Sequence, residues 1–165
     1  MNIMSAHIYF RNFIFGAEDS LVSTVGLLSG VAIAGVPSKT ILLTGMVLIL
    51  VEAFSMAAGS FLSEHSADAF VKQAEAELRV PIIGGVIMFV SYFVSGFIPL
   101  APYLIAEPSQ ALKWSIGLSI LALFILGFAG GRLSRTSVWR GGLRMAMIGG
   151  IAIALGVIAG RIIGH

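Results

Sequence analysis

Residues 40–62 read TILLTGMVLILVEAFSMAAGSFL, an apolar run with a single ionisable side chain, Glu52. A bilayer hydrocarbon core of about 30 Å needs roughly 20 apolar residues of α-helix, so this run predicts a membrane-spanning helix. Of the 165 residues, 58% are hydrophobic and 11% are charged. Soluble domains carry about 25% charged residues, and the composition therefore excludes a soluble globular domain.

Four further apolar segments of spanning length accompany this run. The five predicted spans lie at about residues 13–36, 40–62, 81–103, 112–130 and 143–163. A polar stretch at 63–79 is expected to be a cytoplasmic connector, and Pro99 and Pro102 are expected to distort the end of the third span. We predict an all-α integral membrane protein, a single transmembrane domain of five helices over residues 1–165.

Basic residues in short loops predict the orientation, because they concentrate on the cytoplasmic side. The side expected to face the cytoplasm carries Arg11, Lys72, Arg79, Arg132, Arg135, Arg140 and Arg144. The other side carries Lys39, Lys113 and Arg161. This distribution predicts a cytoplasmic N-terminus and an external C-terminus.

Two acids, Asp19 and Glu52, fall inside predicted spans. A charge at the centre of a membrane helix costs about 2.5–3.5 kcal/mol on insertion scales, so such acids are paired, neutralised or functional. Counted from the turn between the first two spans, Asp19 lies about 26 Å and Met56 about 24 Å down their helices. Glu52, Met56 and Ser60 share one face by i, i+4 spacing. The pattern predicts a ladder of carboxylate, thioether and hydroxyl groups.

Each member of the ladder also has a plainer interpretation. Glu18 and Asp19 are interfacial if the first helix starts late, near Ser20. Independently of that, the alternative for Glu52 is a protonated, hydrogen-bonded packing acid, and the alternative for Met56 is a filler of an irregular gap.

Small residues continue the ladder's face on the first span. Asp19, Ser23, Gly26 and Gly30 follow one another at helical spacing. The Gly26–Gly30 segment is also a small-xxx-small pattern, whose ordinary meaning in membranes is close helix packing.

The side-chain groups in the ladder indicate which metal ions it would bind. Carboxylates suit hard divalent cations and manganese, whereas a thioether favours softer metals, so a mixed site suits ferrous iron. Buried carboxylates also exchange protons when a cation binds. The chain has no cysteine, which excludes thiolate sites and disulfides. Its histidines, His7, His65 and His165, are scattered, so neither an enzyme nor a resident cofactor is expected, and the arginines are assigned to the membrane surface rather than to nucleic acid.

These residues lie in stretches that resemble the vacuolar iron transporter family. RNFIFGAEDS at 11–20 is similar to the family's arginine followed by G-A-N-D-G, and SMAAG at 55–59 is similar to its S-M-A-x-G-E. SGFIPL at 95–100 resembles G-x-x-x-P-L in span three, and GGLR at 141–144 with GG at 149–150 resembles the last span.

The resemblance implies a homodimer of ten spans, with a metal path at the subunit interface lined by spans one and two. It also implies that Fe(II) or Mn(II) moves out of the cytosol against protons. By motif, Asp19 takes the place of the pore aspartate and Met56 that of the pore methionine, whereas Glu52 is included because of its burial.

This chain departs from the family pattern at several positions. Glu18 and Ser20 stand where the family has Asn and Gly, and Ser60 stands where it has Glu. The large glutamate-rich cytoplasmic module of the eukaryotic carriers is reduced here to residues 63–79.

The sequence therefore predicts a proton-coupled exporter of Fe(II) or Mn(II), in a prokaryotic cytoplasmic membrane or, in a eukaryote, the vacuolar membrane. The expected partners are membrane lipid, a second copy of the chain, divalent metal ions and protons. The predicted path residues are Asp19, Ser23, Glu52, Met56 and Ser60, of which Asp19, Glu52 and Met56 are the metal ligands. Candidate residues for cytoplasmic metal entry are Glu18, Glu64, His65 and Asp68; for the last three, a solvated connector is the alternative. A passive cation channel and a non-transporting scaffold or subunit remain alternative functions.

Overall fold

The computed structural model describes residues 3–73 and 77–163, and this part of the chain contains helices and no strand. The helices are α1 (Ile3–Ile33), α2 (Ser38–Lys72), α3 (Arg79–Leu100), α4 (Pro102–Ile105), α5 (Pro108–Leu133) and α6 (Val138–Ile163). Five of them are long and apolar enough to cross a membrane, and α4 is a single short turn. The predicted all-α fold with five transmembrane helices is confirmed.

Helix α1 begins earlier than the apolar pattern predicts. It starts at Ile3, ahead of the predicted start at residue 13. A late start near Ser20 is therefore wrong, and Glu18 and Asp19 lie well inside a continuous helix.

Helix α2 is longer than a bilayer is thick. Its 35 residues span about 52 Å at a rise of 1.5 Å per residue, against a hydrocarbon core of about 30 Å. The first part of the predicted connector, 63–72, is therefore a continuation of α2, which ends where Gln73 adopts a left-handed conformation. Residues 74–76 of the connector lie outside the described residues.

The end of α3 is set by proline, as predicted. Pro99 lies in its last turn, and the next helix, α4, starts at Pro102 because a proline supplies no N–H to continue the α3 ladder. The Pro99 carbonyl accepts a hydrogen bond of 2.7 Å from the Ser115 hydroxyl of α5. This bond ties the end of α3 to α5.

Helix α1 occupies the centre of the bundle and packs against α2, α3, α5 and α6. Over its apolar window 56% of the residues are buried, compared with 6% for α6. The start of α1, the end of α2, the start of α3 and the α5–α6 turn all lie at one end of the bundle. We call it the arginine end, because it carries all the basic residues assigned above to the cytoplasmic side.

Glycines bring α1 and α6 into backbone contact. A Cβ atom at Gly156 would collide with the carbonyl oxygen of Gly26, and one at Gly160 with that of Gly30. The Gly26–Gly30 pattern therefore packs against a matching Gly156–Gly160 pattern, the ordinary meaning of small-xxx-small spacing in membrane helices.

Candidate functional site

Polar contacts join α1 and α2 at the arginine end. The Asn12 side-chain amide donates a 2.8 Å hydrogen bond to the hydroxyl of Ser60. One turn beyond Ser60 on α2, Glu64 forms an ion pair with Arg11. Asn12 is almost completely buried, at 1% exposure. These contacts set the register in which the two antiparallel helices face each other.

The observed register differs from the one counted from the sequence. With α1 ending at Ile33 and α2 starting at Ser38, Asp19 and Glu52 both lie about 21 Å from the turn, and Met56 lies about 27 Å from it. Asp19 is therefore level with Glu52 rather than with Met56. The counted register put Asp19 too far from the turn and Met56 too near it, because α1 ends at Ile33 rather than near Val36 and α2 starts at Ser38 rather than at Thr40.

Asp19 and Glu52 lie close enough for their charges to interact, and each falls within a helix long and apolar enough to cross a membrane. Both side chains are half-buried, and the negative charge of Glu52 acts on Asp19. Among the side chains that the structure describes, neither carboxylate has a hydrogen-bond or ion-pair partner. Two neighbouring carboxylates without a protein counter-charge favour a bound cation or proton.

A tyrosine that sequence reasoning missed lies beside these acids. Tyr92 of α3 is fully buried, and the charges of Asp19 and Glu52 both act on it. Its hydroxyl shares a 2.8 Å hydrogen bond with Ser23, and its carbonyl accepts a 2.6 Å bond from Ser20. The predicted path residue Ser23 is thus held against α3 by Tyr92. Pairing between two helices cannot be read from a single apolar run, so the sequence carried no clear signal for this contact.

A cleft of about 700 Å³ opens between α1 and α2, from the level of Met56 toward the arginine end. Two predicted residues, Met56 and Ser60, line it. Asn12 and Met88, which were not predicted, line it as well, and Met88 brings a second thioether from α3. Met88 and Tyr92 are four residues apart on α3 and both are buried, so they lie on the same face of that helix.

The outer rim of the cleft is polar on a surface expected to face lipid. Ser55, Gly59 and Ser63 line the cleft at successive turns of α2, and all three are exposed. The neighbouring surface of α2 is apolar and equally uncovered, with Phe54 70% and Val51 58% exposed. Hydroxyl groups that face hydrocarbon lose their hydrogen bonds to water, so this face is suited to a polar path or to a protein partner.

Glu18, a candidate entry residue, is not part of this cleft. It lines a separate cavity between α1 and the α5–α6 turn, where the positive charge of Arg144 acts on it. The structure therefore brings Asp19, Glu52, Met56 and Ser60 to the α1–α2 side and places Glu18 on another side of α1.

The other candidate entry residues are engaged in separate contacts. Glu64 pairs with Arg11, and Asp68 accepts a 2.9 Å hydrogen bond from Lys72. His65 stacks on Phe61 with ring centroids 6.0 Å apart. Within the described ranges 3–73 and 77–163, no three His, Asp or Glu side chains come together as a metal-binding group.

Comparison with known proteins gives consistent matches over most of the chain. A family model described as the VIT family matches residues 10–80 and 68–161, two stretches that overlap where α2 ends and α3 begins. Vacuolar iron transporter homolog 3 of Arabidopsis thaliana is 28% identical over 158 residues, which cover 89% of this chain and 79% of the relative. Vacuolar iron transporter homolog 1 of Oryza sativa subsp. japonica is 28% identical over 171 residues, 94% of this chain and 74% of the relative. Vacuolar iron transporter 1 of Arabidopsis thaliana is 35% identical over 77 residues, 46% of this chain and 31% of that protein.

Proposed function

The chain belongs to the VIT family, and from this premise we propose that it is a transporter of divalent metal ions that exports Fe(II) or Mn(II) in exchange for protons. The family match confirms the resemblance identified from the motifs. Relatives that align with most of the chain are named vacuolar iron transporter homologs. The general conclusion is that the chain is an integral membrane protein that transports metal ions. The path of the ion, its coupling to protons and the direction of transport are our proposals.

The observation that carries the proposal is the pair of half-buried acids, Asp19 and Glu52, at one level of the span. A divalent cation between them would replace two repelling negative charges by a neutral group. The thioether of Met56 lies one turn nearer the arginine end and offers a softer ligand, which suits Fe(II). The ion would enter through the α1–α2 cleft past Ser60 and pass Met56 before it reaches the acids.

Proton exchange follows from the same two carboxylates. When the cation leaves, the negative charges are again uncompensated in a medium of low dielectric constant, and taking up a proton relieves their repulsion. Metal binding would release that proton. The proposed direction, out of the cytosol, rests on the orientation that the basic residues predict.

Transport in proteoliposomes tests this function. Purified protein should take up Fe(II) or Mn(II) when a pH gradient is imposed, with proton movement that tracks metal flux. Asp19→Asn should abolish uptake, whereas Glu18→Gln, a change of the adjacent acid on another side of α1, should leave it intact. Normal transport by both Asp19→Asn and Met56→Ala would show that the site is wrong. Metal flux without accompanying proton movement would identify a passive channel instead.

We further propose that two copies of the chain pack through α2 and enclose the path between them. The support is the stripe of Ser55, Gly59 and Ser63, which is open to the outside of the single chain. A second copy on this face would cover the hydroxyl groups and the exposed apolar residues beside them.

The absence of cysteine from the chain makes this proposal straightforward to test. Oxidation of a Ser55→Cys variant in membranes should link two copies, because the residue would lie near the interface. Ile151→Cys, equally exposed but on α6, should not cross-link. Cross-linking at residue 151 in place of residue 55 would move the interface to another helix and exclude a path enclosed by α2.

A further inference from the structure

A second cavity, of about 380 Å³, lies at the arginine end between α1 and the α5–α6 turn. Arg11, Glu18 and Arg144 are its charged lining residues, and Ser134 and Thr136 add hydroxyl groups from the turn. Apart from Arg11, these residues have no place in the path proposed above. The metal path therefore does not account for the charged and hydroxyl groups that line this cavity.

The charge around this cavity is predominantly positive. Residues 108–163, which form α5, α6 and their turn, contain no Asp or Glu. Arg132, Arg135 and Arg140 are exposed around the turn, and Arg144 lines the cavity. None of these four arginines is in an ion pair with a described residue. Glu18 is the one acid among the described lining residues, so the surroundings favour an anion.

Aromatic residues place the cavity at the level of the lipid headgroups. Trp139, at the start of α6, is 69% exposed and contacts Phe124 and Phe128, with ring centroids 5.8 and 6.0 Å apart. Leu133, at the end of α5, is 67% exposed. Tryptophan is enriched where membrane helices meet the headgroup layer. An anion bound here would have apolar helix surface beside it for acyl chains.

We propose that this cavity binds the phosphate group of an anionic phospholipid. Arg144 would be the main donor to the phosphate, with Ser134 adding a hydroxyl donor, because basic pockets between membrane helices suit lipid headgroups. Arg11 already pairs with Glu64 and contributes positive charge at the edge of the cavity. Glu18 weakens anion binding and limits the charge of the headgroup that fits. The site is independent of the metal path.

Tryptophan fluorescence gives a reporter at the arginine end. The chain has two tryptophans, so a Trp114→Phe background leaves Trp139, at the start of α6, the helix that carries Arg144. This variant is reconstituted in phosphatidylcholine vesicles that contain a small fraction of lipid brominated near the headgroup, either phosphatidylglycerol or phosphatidylcholine. Brominated phosphatidylglycerol should quench Trp139 with about a fivefold preference, the size expected for one arginine near the surface.

Substitutions of the basic and the acidic lining residues should change the preference for phosphatidylglycerol in opposite directions. Arg144→Gln should remove the preference for phosphatidylglycerol, and Glu18→Gln should increase it. Arg132→Gln is the matched control, an arginine at the same end that does not line the cavity, and it should change the preference by less than about twofold. Elution of each variant as a single species on gel filtration, with unchanged helical circular dichroism, checks its folding.

Three outcomes would overturn the proposal. An equal loss in Arg132→Gln and Arg144→Gln would show diffuse attraction to an anionic surface rather than a site. Abolition of the preference by soluble glycerol phosphate would show a site for free phosphate esters rather than lipid. Equal quenching by both brominated lipids in the Trp114→Phe protein would show that the cavity does not select an anionic lipid.

Discussion

Glu18 and Asp19 are neighbours in the sequence but face different surroundings on α1. Glu18 lines the cavity at the α5–α6 turn, where the negative charge of Asp19 and, to a smaller extent, the positive charge of Arg144 act on it. Asp19 lies toward Glu52 and Tyr92, where the nearby charge is negative. Successive residues of a helix point about 100° apart. Because α1 has neighbours on several sides, this rotation is enough to give Glu18 a basic neighbour, Arg144, beside a cavity that Asp19 does not line.

After the loss of uptake in Asp19→Asn, the largest effect is expected for Glu52→Gln, which removes the second acid of the proposed site. Loss of a charged ligand costs about 1.5–3 kcal/mol, so metal-coupled proton movement should fall by about tenfold or more. The measurement is the initial rate of proton flux in proteoliposomes. Glu107→Gln, an exposed acid at the other end of the bundle, is the control. Unchanged metal and proton flux in Glu52→Gln would show that Glu52 only fills space.

Gly156→Ala tests the contact with α6 that holds the rotation of α1. The new Cβ would collide with the backbone carbonyl of Gly26, and overpacking of this kind costs about 1–3 kcal/mol. The free energy of unfolding in mixed SDS micelles should fall by that amount. Gly150→Ala, on the same helix with no atom within 4 Å of the added carbon, should not destabilise the protein. Equal losses in both variants would mean that α6 tolerates no side chain at either position, independent of the contact with α1.

Met56→Ala tests whether the cleft, unlike the cavity beside Glu18, binds metal through a sulfur ligand. Removing the thioether should weaken apparent Fe(II) affinity about fivefold, which corresponds to about 1 kcal/mol. Mn(II) affinity should change less, because manganese prefers oxygen ligands. Metal-dependent transport rates measured over a range of concentrations give both values. Met147→Ala, an exposed methionine of α6, provides the comparison, and an equal change for both metals would rule out a ligand role for the sulfur.

The smallest effect is expected for Asp68→Asn, beyond the cleft at the end of α2. Its ion pair with Lys72 lies at an exposed i, i+4 position, where water and salt screen the attraction and the pair adds little to stability. Stability and metal transport should both stay close to those of the unchanged protein. A severalfold fall in transport at low metal concentration, without loss of stability, would restore Asp68 as a metal-entry residue.

The sequence predicted more of the fold than of the site. Long apolar runs specify spanning helices because the bilayer leaves a backbone no other way to satisfy its hydrogen bonds. The same runs do not mark helix ends, since polar residues such as those at 63–72 continue a helix beyond the membrane without a break. The motif around Asp19 and Met56 identified the family, although it did not establish which residues lie at the same depth.

The sequence did not predict which side chains of different helices lie next to each other. Asn12, Met88 and Tyr92 come close to the predicted residues only because α1 packs between α2 and α3. The separation of Glu18 from Asp19 likewise depends on which helices surround α1.

The intramembrane acids, the five spans and the predicted orientation come from the sequence alone, because the cost of burying charge and backbone in lipid acts on each segment separately. The pairing of Asp19 with Glu52, the hydrogen bond between Tyr92 and Ser23 and the basic cavity beside Glu18 were decided by the tertiary structure. Each depends on the rotation and register of α1 against its neighbours. Contacts between different helices, such as the glycine packing of α1 on α6 and the Asn12–Ser60 bond, set that rotation and register, and no single segment specifies them.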